Sequence, residues 1–334
     1  MRLQILIPHY AEEPDEMEPL LDSIAIQQSV DFSEVGVVIA YDGPDAKPLP
    51  EAEWGRYPFG IEHVHAEKGG VSATRNAALD AATADYVMFC DADDMFCDVC
   101  GLHIIFREIG NGGFDTLVSC FREESRHPET GEPMYVNHDM DSTFVHGKVH
   151  RRAYLVDNGL RFDDRLTVHE DSYFNILTRE LAAPDRAKYC PMPFYLWKWR
   201  DSSVCRHDPD YILKTYNNML DSNDALVDEF TRRMRMDKAR FYIGFMVMDA
   251  YYTMNKPEWL DKTHADYRNA VERRFADYYA KHGDEFEKLT EQEKVQISVG
   301  VRQRSAMEGM LMEAVTLEQW LESIKQQTSQ SCIV

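Results

Sequence analysis

Four things are scarce or absent in this 334-residue chain, and each removes a class of function. Long apolar runs are missing: the opening Leu3-Gln4-Ile5-Leu6-Ile7 stops at Pro8 and is too short for a secretory apolar region, and no later stretch reaches the roughly 20 apolar residues of a membrane span. The expectation is a cytoplasmic protein with no integral membrane segment. Positive charge is also short, with 36 Lys and Arg against 58 Asp and Glu and a formal charge of -22, which argues against generic binding to nucleic acid or anionic membranes. The seven cysteines are scattered. Cys97-x-x-Cys100 lacks the second pair that a zinc module needs, and Cys332 precedes only two residues, so it forms no prenylation box. Finally, there is no internal repeat and no low-complexity segment.

What is present is the composition of a folded protein, 44% hydrophobic and 28% charged. The N-terminal half alternates β-rich runs with helical patterns, the signature of an α/β sheet. Strands are predicted over Leu3 to Ile7, Val35 to Ala40, Ile61 to Val64, Tyr86 to Cys90 and Thr116 to Cys120, with a hairpin or irregular strands between Tyr135 and Val145. Helices are predicted around Leu20, Leu21, Ile24 and Ala25, from a Ser72 cap to about Thr83, and from His169-Glu170-Asp171 through Leu177. After about Arg206 long helical patterns take over. There Phe241, Phe245, Met248 and Tyr252 fall at spacings of four, three and four, which predicts one buried stripe. The expected plan is an α/β domain over residues 1–205 and a helical domain over 206–334, the latter serving the acceptor side or an oligomer interface.

The chemistry concentrates at strand ends. Asp91-Ala92-Asp93 follows the apolar run Tyr86 to Cys90, and two carboxylates so placed suit a divalent cation and a diphosphate. Local turn formation explains an isolated acidic triplet equally well, with Asp94 capping the next segment. Pro8-His9-Tyr10 and Asp42-Gly43 also lie just beyond strands, where open α/β sheets bind ligands. Gly69-Gly70 lets the backbone approach a ligand, and Arg75, in the first turn of the next helix, reaches toward a phosphate or nucleoside or pairs with Asp80 or Asp85. A basic stretch, Arg232-Arg233-Met234-Arg235 with Lys238 and Arg240, reads first as a solvated helix face and second as a contact for an anionic acceptor.

In order and spacing these segments resemble the family-2 glycosyltransferases with a GT-A fold. The resemblance rests on Ile5-Leu6-Ile7-Pro8-His9-Tyr10, Leu21-Asp22-Ser23-Ile24 with Gln27-Gln28, Asp42-Gly43, Gly69 through Ala77, and Asp91-Ala92-Asp93-Asp94. It continues through Gly147 to Arg152, Gly159 to Phe162, Glu170-Asp171, and Tyr195 to Arg200 with Ser203. It implies a Rossmann-like, mainly parallel sheet and inverting, metal-assisted transfer from a nucleoside-diphosphate sugar, most simply a UDP-sugar, to an acceptor hydroxyl. Asp171 is then the general base. Pro8, Tyr10, Asp42, Gly70, Arg75, Asp91, Ala92, Asp93, Lys148 and Arg200 face the donor, Asp42 at the nucleobase and Arg75 at the nucleotide. Asp93 and Asp91 hold Mn2+ or Mg2+, with Asp93 favoured for direct ligation, while Glu170 and Trp199 lie on the acceptor side. Lys148, Lys198 and Arg200 match basic positions near the diphosphate.

Three positions depart from the family's usual pattern. Tyr41 replaces the first of a tandem aspartate pair, Ala11 replaces an asparagine after Pro-x-Tyr, and Lys198 stands where arginine is frequent. The first two loosen nucleotide selectivity, and the third removes bidentate phosphate binding. A glycan, a wall polymer, a protein or modified DNA all qualify as acceptor. Two other functions fit the same residues: a non-catalytic sugar-nucleotide or glycan-binding module, and a nucleotidyltransferase.

Overall fold

The computed structural model describes residues 1–46, 51–141, 143–201, 211–256, 259, 265–306 and 315–331; Ser203, part of the resemblance, and Arg206, where the helical character begins, lie outside them. The chain divides into two compact units, Met1–Ser203 and Val204–Val334.

The first unit is an α/β sheet whose strands run β1 Leu3–His9, β2 Val35–Tyr41, β3 Gly60–His65, β4 Tyr86–Phe89, β5 Met95–Phe96, β6 Thr116–Arg126, β7 Pro133–His138, β8 Lys148–Arg151 and β9 Ala187–Trp197. Their spatial order is β3-β2-β1-β4-β8-β6-β9-β5, with β7 paired to β6. The β3-β2-β1-β4 half is parallel, β8 joins β4 and β6 antiparallel, and β6 pairs with β9 in parallel. Helices α1 Pro14–Ala25, α2 Val71–Ala81, α3 Gly101–Gly110, α4 Arg152–Asp157 and α5 Glu170–Leu181 complete the unit.

The parallel half explains why its strands read as apolar runs. Every residue of β2 is buried, and β1 is buried along six of its seven positions, as expected where both faces of a sheet are covered. Gln4 is the polar exception inside β1. Its Oε1 accepts from the amides of Thr83 at 2.6 Å and Ala84 at 2.8 Å, which fastens the segment after α2 to the sheet. The parallel register sets His9 beside Tyr41 and Leu6 beside Phe89, so the segments following β1, β2 and β4 emerge at one edge. That edge carries Pro8, Tyr10, Asp42, Asp91 and Asp93.

Two local expectations change. Ser72 does not cap α2: Gly70 is the N-cap, with φ +108°, and the Ser72 hydroxyl donates to the Leu166 carbonyl. Strand β6 continues past Cys120 to Arg126 because its polar second half pairs with β7 in an exposed hairpin. Of the five described cysteines all are free thiols, three buried and Cys97 and Cys100 partly so.

Gly147 precedes β8 with φ +69°, and a Cβ there would stand 2.2 Å from the Ser119 Oγ, which itself donates to the Gly147 carbonyl. Ser119 is fully buried on β6 and has nowhere to retreat. Gly147→Ala is therefore expected to destabilise this unit by about 2–5 kcal/mol, the sum of left-handed strain and overpacking. A lower denaturation midpoint at unchanged m-value checks it.

The second unit is helical: α6 Tyr211–Arg232, α7 Met236–Met254, α8 Ala265–Phe286, α9 Glu291–Ala306 and α10 Leu317–Ser331. Helix α7 packs against α6, α8 and α9, and α8 also packs against α6 and α10. The single stripe expected on α7 is not what forms. Phe241 is 45% exposed and Phe245 half-buried, whereas Tyr242, Ile243, Met246, Val247, Met248, Ala250 and Tyr251 are buried, because a helix covered by three neighbours is apolar nearly all round. The basic stretch is consumed locally: Arg232 and Arg233 pair with Glu229, Arg235 with Asp237, and Arg240 with Glu285. That is the solvated-face reading.

Candidate active site

A cleft of about 220 Å³ opens at the strand edge, lined by Pro8, His9, Tyr10, Glu12, Asp42, Val71, Thr74, Arg75, Asp91, Ala92 and Asp93. Seven of these are residues the sequence singles out for the donor. Tyr10 is 74% exposed, an aromatic ring held at the mouth by its amide, which donates to Glu12 Oε2. Asp42 follows β2 and accepts the Gly70 N–H at 2.6 Å through Oδ1, with the Thr74 hydroxyl 3.3 Å away. The carboxylate thus faces the positive end of α2, where an anion is favoured.

Arg75 is the hub. Its guanidinium, 5% exposed, donates to Asp91 Oδ1 at 2.9 Å and to Glu170 Oε1 at 2.7 Å, and it lies 5.3 Å over the Phe162 ring. The expected alternatives of Asp80 and Asp85 are not its partners; Asp80 pairs with Arg161. Burial works against the charge, but Asp91 and Glu170 outweigh it and raise the Arg75 pKa, so the cation is permanent.

Asp171 follows Glu170 in the first turn of α5, after His169 in the left-handed conformation. Asp171 is not the N-cap, which is His169; among the described residues its Oδ1 accepts the first-turn N–H of Ser172 at 2.7 Å. Burial of the carboxyl and the adjacent Glu170 push its pKa up to about 8, with Arg75 pulling the other way. Glu170, expected on the acceptor side, has its Oε1 committed to Arg75.

Asp93 Oδ2 accepts from Arg200 at 2.6 Å, and Arg200 also approaches Glu16 at 3.5 Å. Asp91 and Asp93 therefore each engage an arginine through one oxygen, and the second oxygen of each has no hydrogen-bond donor among the described residues. Such a pair of hard oxygen ligands fits Mg2+ or Mn2+. Asp91, Asp94 and His146 also bring ligand atoms within 4.8 Å of one another. Asp94 is a poor ligand there, because it is fully buried and both its oxygens are taken, Oδ2 by the Tyr195 hydroxyl and Oδ1 by the Lys198 amide. Nor does Asp94 cap the segment after it; it reaches across to β9 and beyond.

Other expected residues fall elsewhere. Lys148 is 1% exposed, inside the sheet, with Asp141 at 3.7 Å and the His146 carbonyl at 3.5 Å. Burial pulls its pKa down to about 8 despite Asp141 and Asp171. Trp199 lies over Arg126 and donates its indole N–H to Asp201, while Trp197 packs on Phe144 and His146. Glu12 and His146 went unmarked in the sequence, and Asp94 and Tyr195 entered it only as members of motifs, Asp94 also as a possible cap. A second acidic cluster, Asp224, Asp228 and His282 in the helical unit, holds Arg274 and Lys281 instead of a vacancy for a cation.

Residues 4–153 match the family described as Glycosyl transferase family 2. The chain is 23% identical over 221 residues to an uncharacterised glycosyltransferase, EpsJ, of Bacillus subtilis, covering 60% of this chain and 62% of that protein. It is 27% identical over 190 residues to the poly(ribitol-phosphate) beta-N-acetylglucosaminyltransferase TarS of Staphylococcus aureus, covering 53% and 32%. The chain thus spans less than two thirds of the length of these curated relatives. Among solved structures, S. aureus TarS 1–349 superposes with a TM-score of 0.60 at 15% identity, over 94% of this chain and 93% of that one. Its complex with UDP-GlcNAc gives 0.51 at 18% identity, over 94% and 93%. At these identities the likeness establishes the GT-A fold.

Proposed function

Since residues 4–153 place this chain in glycosyl transferase family 2, we propose that it moves a sugar from a UDP-sugar to an acceptor hydroxyl with inversion, using Asp171 as general base. The observation that carries this reading is the Arg75 bridge. One buried guanidinium donates to Asp91, on the cleft wall, and to Glu170, the residue before Asp171, so a donor-side carboxylate and the segment that carries the proposed base share one cation.

On this reading Tyr10 and Asp42 receive the base and ribose, where an aromatic face and a carboxylate acceptor are offered. Asp91 and Asp93 would hold Mn2+ or Mg2+, which when bound offsets the negative charge that grows on the leaving diphosphate. Arg200, now paired with Asp93, would meet the diphosphate at that carboxylate. Asp171 takes the proton from the acceptor hydroxyl as that oxygen bonds to the anomeric carbon and the bond from that carbon to the diphosphate oxygen breaks. A carboxylate with a pKa near 8 is a stronger base than an ordinary aspartate, and Brønsted behaviour rewards that.

The TarS complex with UDP-GlcNAc supports UDP as the donor nucleotide and makes UDP-GlcNAc the first sugar to try. The test is thermal shift and UDP release with a panel of UDP- and GDP-sugars, with Mn2+ and with EDTA. UDP-sugars are expected to raise the melting temperature and turn over only with metal. Indifference to every donor would sink the proposal, and pyrophosphate release from a nucleoside triphosphate would replace it with nucleotidyl transfer.

A further inference from the structure

The Asp91-Ala92-Asp93 turn is held from behind by a tyrosine hydroxyl about a hundred residues away. Tyr195, on β9, is fully buried beside the paired residue Phe96 of β5. Its hydroxyl accepts the Asp91 N–H at 3.1 Å and donates to Asp94 Oδ2 at 2.6 Å. The other Asp94 oxygen accepts the Lys198 N–H at 3.0 Å, and the Asp94 N–H returns to the Asp91 carbonyl at 3.2 Å. Two residues past Lys198, Arg200 closes on Asp93 at 2.6 Å. A closed ring results, running from Asp91 through Tyr195, Asp94 and Lys198 to Arg200 and back to Asp93.

We propose that Tyr195 is a positioning residue: its hydroxyl sets the turn that presents Asp91 and Asp93 and locks that turn to the segment carrying Arg200. This rests on the donor reading above. The hydroxyl touches both ends of the turn, and it satisfies an amide and a buried carboxylate at once. Removing it takes a partner from the Asp91 N–H and from Asp94 Oδ2, which keeps only the longer approach of His146 Nδ1 at 3.6 Å, so the turn is expected to shift. Because His146 stacks on the ring at 5.1 Å, phenylalanine keeps the packing and loses only the relay.

The test is Tyr195→Phe, read by Mn2+-dependent UDP affinity, by kcat and acceptor KM, and by hydrogen exchange across residues 91–94. Mn2+-dependent UDP affinity and kcat are expected to fall about 10- to 100-fold, as for supporting residues behind a metal site, with acceptor KM unchanged and exchange accelerated. If the variant folds, exchanges faster and binds as tightly as wild type, the hydroxyl serves only the fold and the proposal is overturned. Should Tyr195→Phe not fold, Asp94→Asn carries the same measurements, since an amide there sets a donor against the Tyr195 proton; wild-type affinity in that variant overturns the proposal equally. A wild-type protein that binds no UDP with Mn2+ overturns the donor reading and the positioning role together, whereas equal binding by wild type and variant overturns the positioning role alone.

Discussion

Asp171→Asn is expected to leave the fold intact and to lower kcat about 100- to 10,000-fold, the range that general-base catalysis contributes. The amide fills the same volume and can still accept the Ser172 N–H through its oxygen, so the first turn of α5 has no reason to move. What it cannot do is take a proton. Glu170 does not substitute, because Arg75 occupies its Oε1 and moving it would strand a buried guanidinium. Single-turnover rates with saturating donor, together with unchanged Mn2+-dependent UDP affinity, separate loss of chemistry from loss of binding. Wild-type turnover in the variant would remove Asp171 from the mechanism.

The same carboxyl makes two pH predictions of fixed sign. Its folded pKa, about 8, lies above the ordinary value of 3.8, so the native state holds a proton that the unfolded chain has released across that window. Stability from this group is therefore complete below about pH 4 and is lost as pH rises through about 8. Asp171→Asn should flatten that slope and become more stable than wild type on the alkaline side, while kcat/KM of the wild type climbs toward pH 8 as the base ionises. Denaturation midpoints from pH 5 to 9 check the first, and a pH–rate profile the second.

How much of this was legible in the sequence depends on what each feature is made of. The parallel strands were readable because burial on both faces writes an uninterrupted apolar run, as in Val35–Tyr41. The far end of β6 was not, since Arg122, Glu123, Glu124 and Arg126 are charged and all half-buried and leave no period of burial to read. Asp42, Arg75, Asp91 and Asp93 were legible because the fold places ligands after parallel strands, and the cleft gathers all four. Lys148 illustrates the opposite case: its motif points to the diphosphate, yet this lysine is buried inside the sheet beside Asp141. Tyr195 and Asp94 were invisible as a pair because their bond spans 101 residues, and nothing local distinguishes a buried tyrosine that holds a turn from one that fills a core.

Replacing Arg75 by methionine should be the most damaging single change in the chain. The guanidinium is the shared counter-ion of Asp91 and of Glu170, the latter 8% exposed, and methionine of similar length leaves both carboxylates facing an apolar stem. Removing one partner of a buried ionic group costs about 3–5 kcal/mol, because the charges left behind lose their compensation. Glu170 and Asp91 would then both bear on Asp171 without the cation that now opposes them, so the rising limb of any residual pH–rate profile should move to higher pH. Arg75→Lys keeps the charge but is a single compact ammonium that cannot fork between two carboxylates, and should fall between wild type and Arg75→Met. The decisive arm is the double variant Arg75→Met with Glu170→Gln. If stability is lost through stranded charge, neutralising Glu170 returns part of it, and the two changes together cost less than their sum. Strict additivity by chemical denaturation would mean that Arg75 acts by packing on Phe162, at 5.3 Å, and not as the bridge between the two carboxylates.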